Sequence, residues 1–514
     1  MDGATEPGHH DWGPFDRPLF DDPSARALSR VGVVDVGSNS VRLVVFDGAA
    51  RSPAYFYNEK IMCGLGIGIA ETGKLNPQGR ARALTAITRF QMLAKGMGLA
   101  PLSAVATAAV REASDGPEFC AEVLEKTGLK LFVVDGQEEA RLSAQGVLLG
   151  WPGANGLACD IGGASMELAR LEEGRVGDCI STPLAPMQLR DLPGGRKARK
   201  ARIQETLAEL RQTFPEKPKR LFLVGGSWRA IARLDMLRRG YPLAVLHEYR
   251  MAPAEAAKTV DWILKTDPDL LRSMSGLSEA RIALVPLASE VLKGLLSAFR
   301  PRELAVSAYG IREGLLYEQM PQRLRDRDPL IEACRFSEKK DARFPGFGKT
   351  LFDFLEPLYK TAPPERIRLI KAACLLHDVT WRAHPDYRAE VCFDNATRAN
   401  LGGLNHPERI FLGLTLLHRY KNNRSGSRFE TLINMLPEKD IIDAEVLGKA
   451  MRFGAMFSVS TQKHMGHMRY FPKKKKLEFV MRQRDVGLLG EVAEARLASL
   501  GASLGAETSI VIEN

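Results

Sequence analysis

The chain has little cysteine, no long apolar run and few aromatic residues, which make up 7% of the sequence. Its 7 cysteines are scattered over 514 residues without a Cys-x-x-Cys pair, which argues against structural disulfides or a zinc site. No apolar run approaches the ~20 residues of a membrane span, and the polar N-terminus lacks the apolar core of a secretory signal. No aromatic platform for single-stranded nucleic acid is visible. These absences predict a cytoplasmic protein that has no membrane partner.

Positive charge is in excess over negative charge. The composition is that of an ordinary globular protein, with 45% hydrophobic and 26% charged residues, yet the formal net charge is +10. A basic chain attracts polyanions. Two local runs concentrate this charge: Arg196, Lys197, Arg199 and Lys200 in the first, and Lys473, Lys474, Lys475 and Lys476 in the second. Each run alone is explained more simply as a solvated helix face or loop.

One short pattern occurs twice. Residues 33–43 and residues 158–168 each consist of an apolar strand, then Asp, a hydrophobic residue, Gly, two small residues and Ser, then a second apolar strand. Asp35 aligns with Asp160. The duplication predicts two similar subdomains that face each other across a cleft, and each brings one Asp and one glycine-rich turn to that cleft.

The two turns have the composition of phosphate-binding loops. Glycine lets a ligand approach the main chain closely, and successive N–H groups in such a turn form an anion-binding nest. Aspartate repels phosphate unless a cation lies between them, so the pattern implies a hard metal ion, most simply Mg²⁺, with Mn²⁺ as an alternative. One copy alone would be explained better as a hairpin whose Gly and Asp serve only the turn. Two aligned copies favour phosphate binding.

Strand and helix patterns alternate over residues 31–317, which predicts an α/β fold. After about residue 319 helical periodicity dominates, and a mixed pattern returns near the C-terminus. The expected organisation is an extension at 1–30, α/β subdomains at 31–152 and 153–318, an all-α domain at 319–456 and a small α/β region at 457–514.

Five motifs in a fixed order resemble those of a known family. They are Asp-Val-Gly-Ser-Asn-Ser (35–40), Ala-Thr-Ala-Ala-Val-Arg-Glu-Ala (106–113), Gln-Glu-Glu-Ala (137–140), Asp-Ile-Gly-Gly-Ala-Ser-Met-Glu (160–167) and Val-Gly-Gly-Ser (224–227). Together they resemble the exopolyphosphatase / guanosine pentaphosphate phosphohydrolase (Ppx/GppA) family. The resemblance implies two actin-like (RNase H-like) subdomains around a cleft, then, more weakly, an HD-like all-α domain. It also implies a homodimer.

The same resemblance implies hydrolysis of a terminal phosphoryl group by Mg²⁺ and a Glu-activated water. Glu139 matches the family's catalytic base, and only the motif alignment separates it from the adjacent Glu138. Asp35, Asp160 and Glu167 match the residues around the metal. The residues that match the phosphate-binding positions are Gly37, Ser38, Asn39, Ser40, Arg111, Gly162, Gly163, Ala164 and Ser165.

The chain departs from the family pattern at two places. Ala164 stands where a third Gly is usual, which narrows the space beside the phosphate without removing an N–H. In the HD-like region His377-Asp378 is present, but the sequence Ala342-Arg343-Phe344 lacks the expected His near the start of the domain. His406 and His418 are the remaining candidate ligands. This ligand count favours a relic domain with core histidines.

Several functions remain open at this stage. The leading hypothesis is an exopolyphosphatase acting on inorganic polyphosphate, and the alternative is a guanosine pentaphosphate phosphohydrolase. The basic runs favour the longer polyanion. A kinase of the same superfamily would need a nucleotide pocket, and a base facing water argues against it. A non-catalytic polyanion-binding regulator predicts lost carboxylates, whereas all four expected carboxylates are present.

Overall fold

The structure, a computed structural model, describes residues 30–49, 51–424, 426–457 and 466–513. Nearly all of the expected extension at 1–30 lies outside the described residues. The chain divides into two compact units, Met1–Pro329 and Leu330–Asn514. This division falls beyond the expected boundary at 318, because residues 319–329 stay with the N-terminal unit.

The first half of the N-terminal unit is built on a five-stranded sheet in the order β3-β2-β1-β4-β5. Its strands are β1 (Val31–Val36), β2 (Ser40–Ala49), β3 (Ser52–Met62), β4 (Ser103–Ala106) and β5 (Phe132–Val133). Strands β1, β2 and β3 are antiparallel neighbours, and β4 and β5 run parallel to β1. The helices of this half are α1 (Ile69–Thr72), α2 (Pro77–Gly96), α3 (Ala108–Glu112) and α4 (Gly116–Thr127).

The second half repeats this arrangement. After α5 (Gly136–Gly150) come β6 (Gly156–Ile161), β7 (Met166–Glu172), β8 (Arg175–Thr182), β9 (Arg220–Val224), β10 (Arg250–Met251) and β11 (Glu303–Val306). The order β8-β7-β6-β9-β11 matches β3-β2-β1-β4-β5 in every pairing direction, and β10 adds an antiparallel edge strand. The predicted duplication is therefore confirmed, as is the α/β fold of this unit.

The helices of the second half surround its sheet. They are α6 (Pro186–Arg190), α7 (Gly195–Thr213), α8 (Gly226–Arg238), α9 (Pro253–Lys265), α10 (Pro268–Ser275), α11 (Glu279–Ile282), α12 (Val285–Phe299), α13 (Ile311–Glu318) and α14 (Gln322–Arg325). The core between sheet and helices is continuous and includes Trp228, Leu292 and Phe299, all fully buried.

One expectation about apolar runs is wrong. Within the described residues, the stretch Glu279–Phe299, which covers α11 and α12, has the length and composition of a membrane span, with a mean hydropathy of 1.6. Its side chains Val285, Leu292 and Leu295 are fully buried in the core of the second sheet. A buried core helix needs the same apolar composition as a membrane helix, so this stretch is explained by packing.

Helices α5 and α13 pack at backbone contact through glycines. A Cβ at Gly314 would lie 1.8 Å from the carbonyl oxygen of Leu142, and a Cβ at Gly146 would lie 2.2 Å from that of Gly310. The C-terminal end of α5 is held by Arg51, whose Nη1 donates to the carbonyl oxygen of Leu149 at 2.5 Å. The position of α5 is therefore fixed along its length.

The C-terminal unit is mostly helical and ends in a small sheet, as expected from the sequence pattern. Its helices are α15 (Pro329–Asp341), α16 (Phe347–Leu355), α17 (Pro364–Leu376), α18 (Arg388–Arg398), α19 (His406–Tyr420), α20 (Glu430–Ile433), α21 (Glu438–Phe457) and α22 (Glu491–Leu504). Its strands β12 (His467–Phe471), β13 (Lys476–Arg482) and β14 (Glu507–Glu513) form one sheet, antiparallel between β12 and β13 and parallel between β13 and β14.

Candidate active site

The two repeated hairpins present different side chains at matching positions. In the first hairpin Asp35 on β1 pairs in register with Arg42 on β2. In the second, Asp160 on β6 pairs with Glu167 on β7. The duplicated scaffold therefore places a carboxylate beside a guanidinium in one subdomain and two carboxylates side by side in the other.

The predicted phosphate loops form the two hairpin turns. The N–H of Gly37 donates to the carbonyl oxygen of Ser40 at 3.0 Å, and that of Gly162 donates to Ser165 at 2.9 Å. An equivalent hydrogen bond therefore closes each of the two turns. The residues of the predicted loops, Ser38, Asn39, Gly163 and Ala164, lie between these anchors in tight turns of matching construction.

Glu139 lies in the first turn of α5, and its side chain is only 15% exposed. The pKa of Glu139 is raised to about 7, mainly by burial and also by the nearby charges of Asp160 and Asp35, while Arg111 acts in the opposite direction. The Nη1 of Arg111 donates to Oε2 of Glu139 at 3.2 Å and to the carbonyl oxygen of Val134 at 2.9 Å. A carboxylate with a pKa near neutrality is suited to act as a general base.

Glu138 has different surroundings from its neighbour. Its two carboxylate oxygens accept hydrogen bonds from Nη2 and Nε of Arg141, at 2.6 and 2.8 Å. Arg141 in turn contacts Glu318 on α13 at 2.7 Å. Glu138 thus helps to fasten α5 to α13, whereas Glu139 is the acid within electrostatic reach of Asp35 and Asp160.

Asp160 and Glu167 are held by hydroxyl donors. Ser143, one turn after Glu139 on α5, donates to Asp160. Ser181 on β8 donates to Oε1 of Glu167 at 2.9 Å. Burial raises the pKa of both carboxyls, and each is raised further by another carboxylate of the cluster.

A glycine turn lies against Asp160. Gly225, between β9 and α8, has φ +106°, and a Cβ there would lie 2.8 Å from Oδ1 of Asp160. The Val-Gly-Gly-Ser motif is therefore required by this close approach.

A set of cations also belongs to the site, and sequence reasoning missed it. Its members are Arg42, Lys60, Arg229, Arg281 and Arg312. The pKa of Arg42 is lowered to about 10 by burial and by repulsion from Arg312 and Arg229. Burial also lowers the pKa of Lys60, and repulsion from Arg281 makes the largest further contribution. Cations that repel one another in a partly buried place favour a bound polyanion.

One of these cations is incompletely paired. The Nε of Arg312 is buried without a hydrogen-bond partner. The adjacent Glu313 is fully buried, and both of its carboxylate oxygens already accept hydrogen bonds from other groups. One accepts from Oη of Tyr55 at 2.7 Å and the other from the N–H of Gly310 at 2.8 Å. Among the described residues, none accepts a hydrogen bond from Nε of Arg312, so this cation is not fully paired within the protein.

The carboxylates suit a metal ion that is held partly by substrate phosphates better than one that is held by protein ligands alone. Within the described ranges, no group of three or more His, Cys, Asp or Glu side chains is arranged to hold a metal ion, so Asp35, Asp160 and Glu167 do not form a preformed set of three ligands. Mg²⁺ in phosphoryl-transfer sites is commonly held by one or two carboxylates together with substrate phosphates and water. The hard oxygen donors of Asp35 and Asp160 suit that arrangement.

In the C-terminal unit, Arg343, from the stretch that lacks the expected His, contacts Asp378. The Nη2 and Nε of Arg343 donate to the two carboxylate oxygens of Asp378 at 2.6 and 2.8 Å. His377 is buried, and its Nδ1 donates to the carbonyl oxygen of Cys374 at 2.8 Å. A guanidinium thus neutralises the carboxylate that an HD-type site would use for a metal.

The two predicted basic runs lie on exposed parts of different units. In the first run Lys197 and Lys200 are exposed on α7, as is Arg196, whereas Arg199 donates to Glu290 at 3.1 Å. In the second run Lys473, Lys474 and Lys475 are exposed in the turn between β12 and β13, whereas Lys476 pairs with Glu478 at 2.7 Å. Arg199 and Lys476 are therefore already neutralised within the protein.

Comparison with known proteins gives a consistent assignment. A family model described as the Ppx/GppA phosphatase family matches residues 44–323, and one described as exopolyphosphatase, C-terminal, matches residues 357–511. Exopolyphosphatase 1 of Mycobacterium tuberculosis is 27% identical over 318 residues, which cover 59% of this chain and 92% of that protein. Retrograde regulation protein 2 of Saccharomyces cerevisiae is 24% identical over 463 residues, which cover 78% of this chain and 75% of that protein.

Solved structures share the fold of the N-terminal unit. The Ppx/GppA family member of Aquifex aeolicus aligns with a TM-score of 0.52 at 21% identity, over 58% of this chain and 99% of its own. An exopolyphosphatase from Cytophaga hutchinsonii aligns with a TM-score of 0.52 at 23% identity, over 57% and 98%. Because the first family model spans more than half of the sequence and includes Glu139 and the glycine turn between β6 and β7, the chain belongs to the Ppx/GppA phosphatase family.

Proposed function

We propose that the protein is an exopolyphosphatase, which releases terminal orthophosphate from inorganic polyphosphate. The observation that carries the proposal is the position of Glu139, a carboxylate with a pKa of about 7 next to Arg111 and within reach of the two repeated aspartates. The mycobacterial relatives named exopolyphosphatase support the same activity.

The proposed reaction is an in-line displacement by water. The water oxygen attacks the terminal phosphorus while Glu139 accepts a proton from that water, and the bond from phosphorus to the bridging oxygen breaks. The bridging oxygen leaves with the shortened chain, and orthophosphate is the other product. Phosphoryl transfer of this kind depends mainly on positioning and on neutralising charge.

The residues of the cleft supply both requirements. Arg111 lies within hydrogen-bond distance of Glu139 and positions the base beside the terminal phosphate. Arg42, Arg229 and Arg312 provide guanidinium donors for phosphate oxygens, which they bind in a fork geometry. Asp35 and Asp160 would hold Mg²⁺, which would supply charge neutralisation and make the terminal phosphorus more electrophilic.

The alternative substrate is guanosine pentaphosphate, since the same residues would serve its terminal phosphate. The exposed runs on α7 and in the β12–β13 turn favour a long chain, because a substrate that leaves the cleft gains from each further cation it meets. Phosphate release should be measured in parallel from long polyphosphate, tripolyphosphate, guanosine pentaphosphate and ATP with Mg²⁺. Preference for guanosine pentaphosphate would overturn the substrate assignment, and release from none of the four would overturn the activity.

A further inference from the structure

Two large apolar side chains are exposed beside the first phosphate turn. They are Met62 at the end of β3 and Ile67 in the loop that follows, with exposed fractions of 49% and 56%. The N–H of Gly66 in this loop donates to the carbonyl oxygen of Ser38 at 2.8 Å, so the loop lies against the turn. An inorganic phosphate chain has no apolar group for these side chains to contact, so they suit a different partner.

Met62 shares one face of the first sheet with positive charge. Asp35, Arg42 and Lys60 pair directly across β1, β2 and β3, so their side chains lie in one row on the same face. Met62 follows Lys60 by two residues on β3 and therefore points to this face as well. Burial and repulsion from the surrounding arginines lower the pKa of Lys60. The face therefore combines cations that repel one another with an exposed apolar side chain.

The part of the chain that precedes β1 meets the same sheet at its edge. The guanidinium carbon of Arg30 lies 3.7 Å from the ring centroid of Phe56 on the edge strand β3. Lys60 and Met62 follow Phe56 by four and six residues, which is roughly 13 and 20 Å along the strand. The eight residues that lead from Asp22 to Arg30 span up to about 26 Å. Residues before Asp22 are therefore within reach of both Lys60 and Met62.

Residues 11–22, here called the acidic segment, have a composition that complements this surface. They contain four aspartates and one arginine, together with the apolar side chains of Trp12, Phe15, Leu19 and Phe20. The whole chain has a formal charge of +10, so the acidic segment is opposite in sign to the rest of the molecule. Opposite charges steer two surfaces together, and burial of apolar side chains stabilises their contact.

We propose that the acidic segment, which lies outside the described residues, binds to the surface formed by Arg42, Lys60, Met62 and Ile67 of its own chain. Its aspartates pair with the two cations, and its aromatic side chains cover Met62 and Ile67. Because the proposed function assigns Arg42 to phosphate, the bound segment competes with the substrate. The binding rests on complementary charge and apolar surface alone, whereas the competition rests on the proposed function.

A labelled copy of the acidic segment tests the binding. The probe is a fluorescein-labelled peptide of residues 9–24, whose anisotropy is measured with a full chain in which the tethered segment is disabled. The disabling substitutions are Phe15→Ser, Phe20→Ser, Asp21→Asn and Asp22→Asn. We expect the disabled chain to bind the peptide, and to bind it less tightly as salt rises. The parent chain should bind it at least about tenfold more weakly, because its own segment fills the surface at a high effective concentration.

Substitutions on the surface locate the bound peptide. Added to the disabled chain, Lys60→Gln/Met62→Ser should weaken peptide binding by at least about tenfold, since removing one apolar side chain that becomes buried has an effect of this size. The matched control is Lys95→Gln/Met92→Ser, which removes the same groups from exposed positions on α2 and should bind as before. The proposal is overturned by no binding to the disabled chain, by equal binding to the parent and disabled chains, or by equal losses in the two surface variants.

A second copy of the chain is the alternative occupant of this surface. It would cover the surface in a dimer, which sedimentation at several protein concentrations detects. We expect Lys60→Gln/Met62→Ser to leave the oligomeric state of the parent protein unchanged. Dissociation of a dimer by this variant would overturn the binding of the acidic segment within its own chain.

Kinetics of the full chain test the competition. Asp21→Asn/Asp22→Asn should lower the KM for tripolyphosphate several-fold and leave kcat as in the parent protein, because a competing segment acts only on substrate binding. Asp2→Asn/Glu6→Gln removes the same charge outside the acidic segment and should leave both constants unchanged. An unchanged KM in the first variant, with the peptide bound as expected, would overturn the competition and leave the binding. If no substrate releases phosphate although the peptide binds, the proposed function fails and the binding remains.

Discussion

At the scale of single residues, the adjacent glutamates Glu138 and Glu139 have different surroundings, and we propose different roles for them. Substitution Glu139→Gln removes the proposed base and keeps the shape of the side chain. We expect turnover to fall by ~10²-fold or more with little loss of substrate binding, since the base acts mainly in the transition state. Steady-state phosphate release and binding of a long polyphosphate chain measure the two effects separately.

Glu138→Gln is the matched control for this substitution. Glu138 is bound to Arg141 and does not face the carboxylate cluster, so its loss should leave turnover within a few-fold of the parent protein. Normal turnover in Glu139→Gln together with an inactive Glu138→Gln would contradict the assignment of the base.

The pKa of Glu139 predicts a pH dependence. The base acts only when it is deprotonated, so turnover should rise with pH through a window near 7. Arg111 lowers this pKa, and Arg111→Gln should therefore move the rising limb of the turnover profile to higher pH. The comparison is made at saturating substrate, because Arg111 also contacts phosphate in our proposal. An unmoved limb would mean that another group controls the profile.

The carboxylates that suit Mg²⁺ should control how much metal the reaction needs. Asp160→Asn and Glu167→Gln each remove a negative charge from the cluster, so half-maximal activity should require more Mg²⁺. Glu172→Gln, at the exposed end of β7, is the control and should leave the requirement as it is. Unchanged Mg²⁺ titrations in both cluster variants would argue against a metal role for these residues.

At the scale of elements, the helix that carries Glu139 packs against α13 through close glycine contacts, of which the one at Gly314 is the tighter. Gly314→Ala places a Cβ 1.8 Å from the carbonyl oxygen of Leu142 and must push α13 away from α5. We expect a loss of ~1–3 kcal/mol or more in the free energy of unfolding, with lower turnover. The control is Gly96→Ala at the end of α2, where nothing lies within 4 Å of the added Cβ. It should leave stability unchanged or raise it by up to ~1 kcal/mol.

The elements also show how far the sequence could be interpreted. The hairpins β1–β2 and β6–β7, helix α7 and the helices α16, α17, α18, α19 and α21 were predictable, because each has a clear apolar period or a glycine turn. Strands β3 and β8 were missed. β3 is an edge strand with aromatic and charged side chains in succession, and β8 is largely polar, so neither shows a buried alternation.

Some residues of the candidate site could likewise be predicted from the sequence, and others could not. Asp35, Asp160 and Glu139 belong to short motifs and could be found by alignment. The cations could not, since Lys60, Arg281 and Arg312 are far apart in the sequence and meet only through the duplicated fold. Arg42 is the exception: it occupies the position of Glu167 in the first copy of the repeat, and comparing the two copies residue by residue would have identified it.

At the scale of the whole molecule, the positive charge is spread over both units. The exposed lysines of the β12–β13 turn belong to the C-terminal unit, and those of α7 belong to the N-terminal unit. A short substrate would use the cleft alone, whereas a long polyanion would meet cations outside it. Measuring binding with substrates of different length and at different salt concentrations therefore tests whether these exposed lysines bind the polyanion.

Replacing Lys473, Lys474 and Lys475 by Gln should weaken the binding of long polyphosphate and flatten its dependence on salt, because fewer counterions are released when the chain binds, as for nucleic acids. Hydrolysis of tripolyphosphate should be unchanged. The control is the substitution of Lys74, Lys95 and Lys130 by Gln, which removes the same charge from exposed but scattered positions. Binding of long chains is measured at several salt concentrations in all three proteins. Equal losses for long and short substrates would show that the lysine turn is structural, and equal effects of both triple variants would mean that only the net charge of the molecule matters.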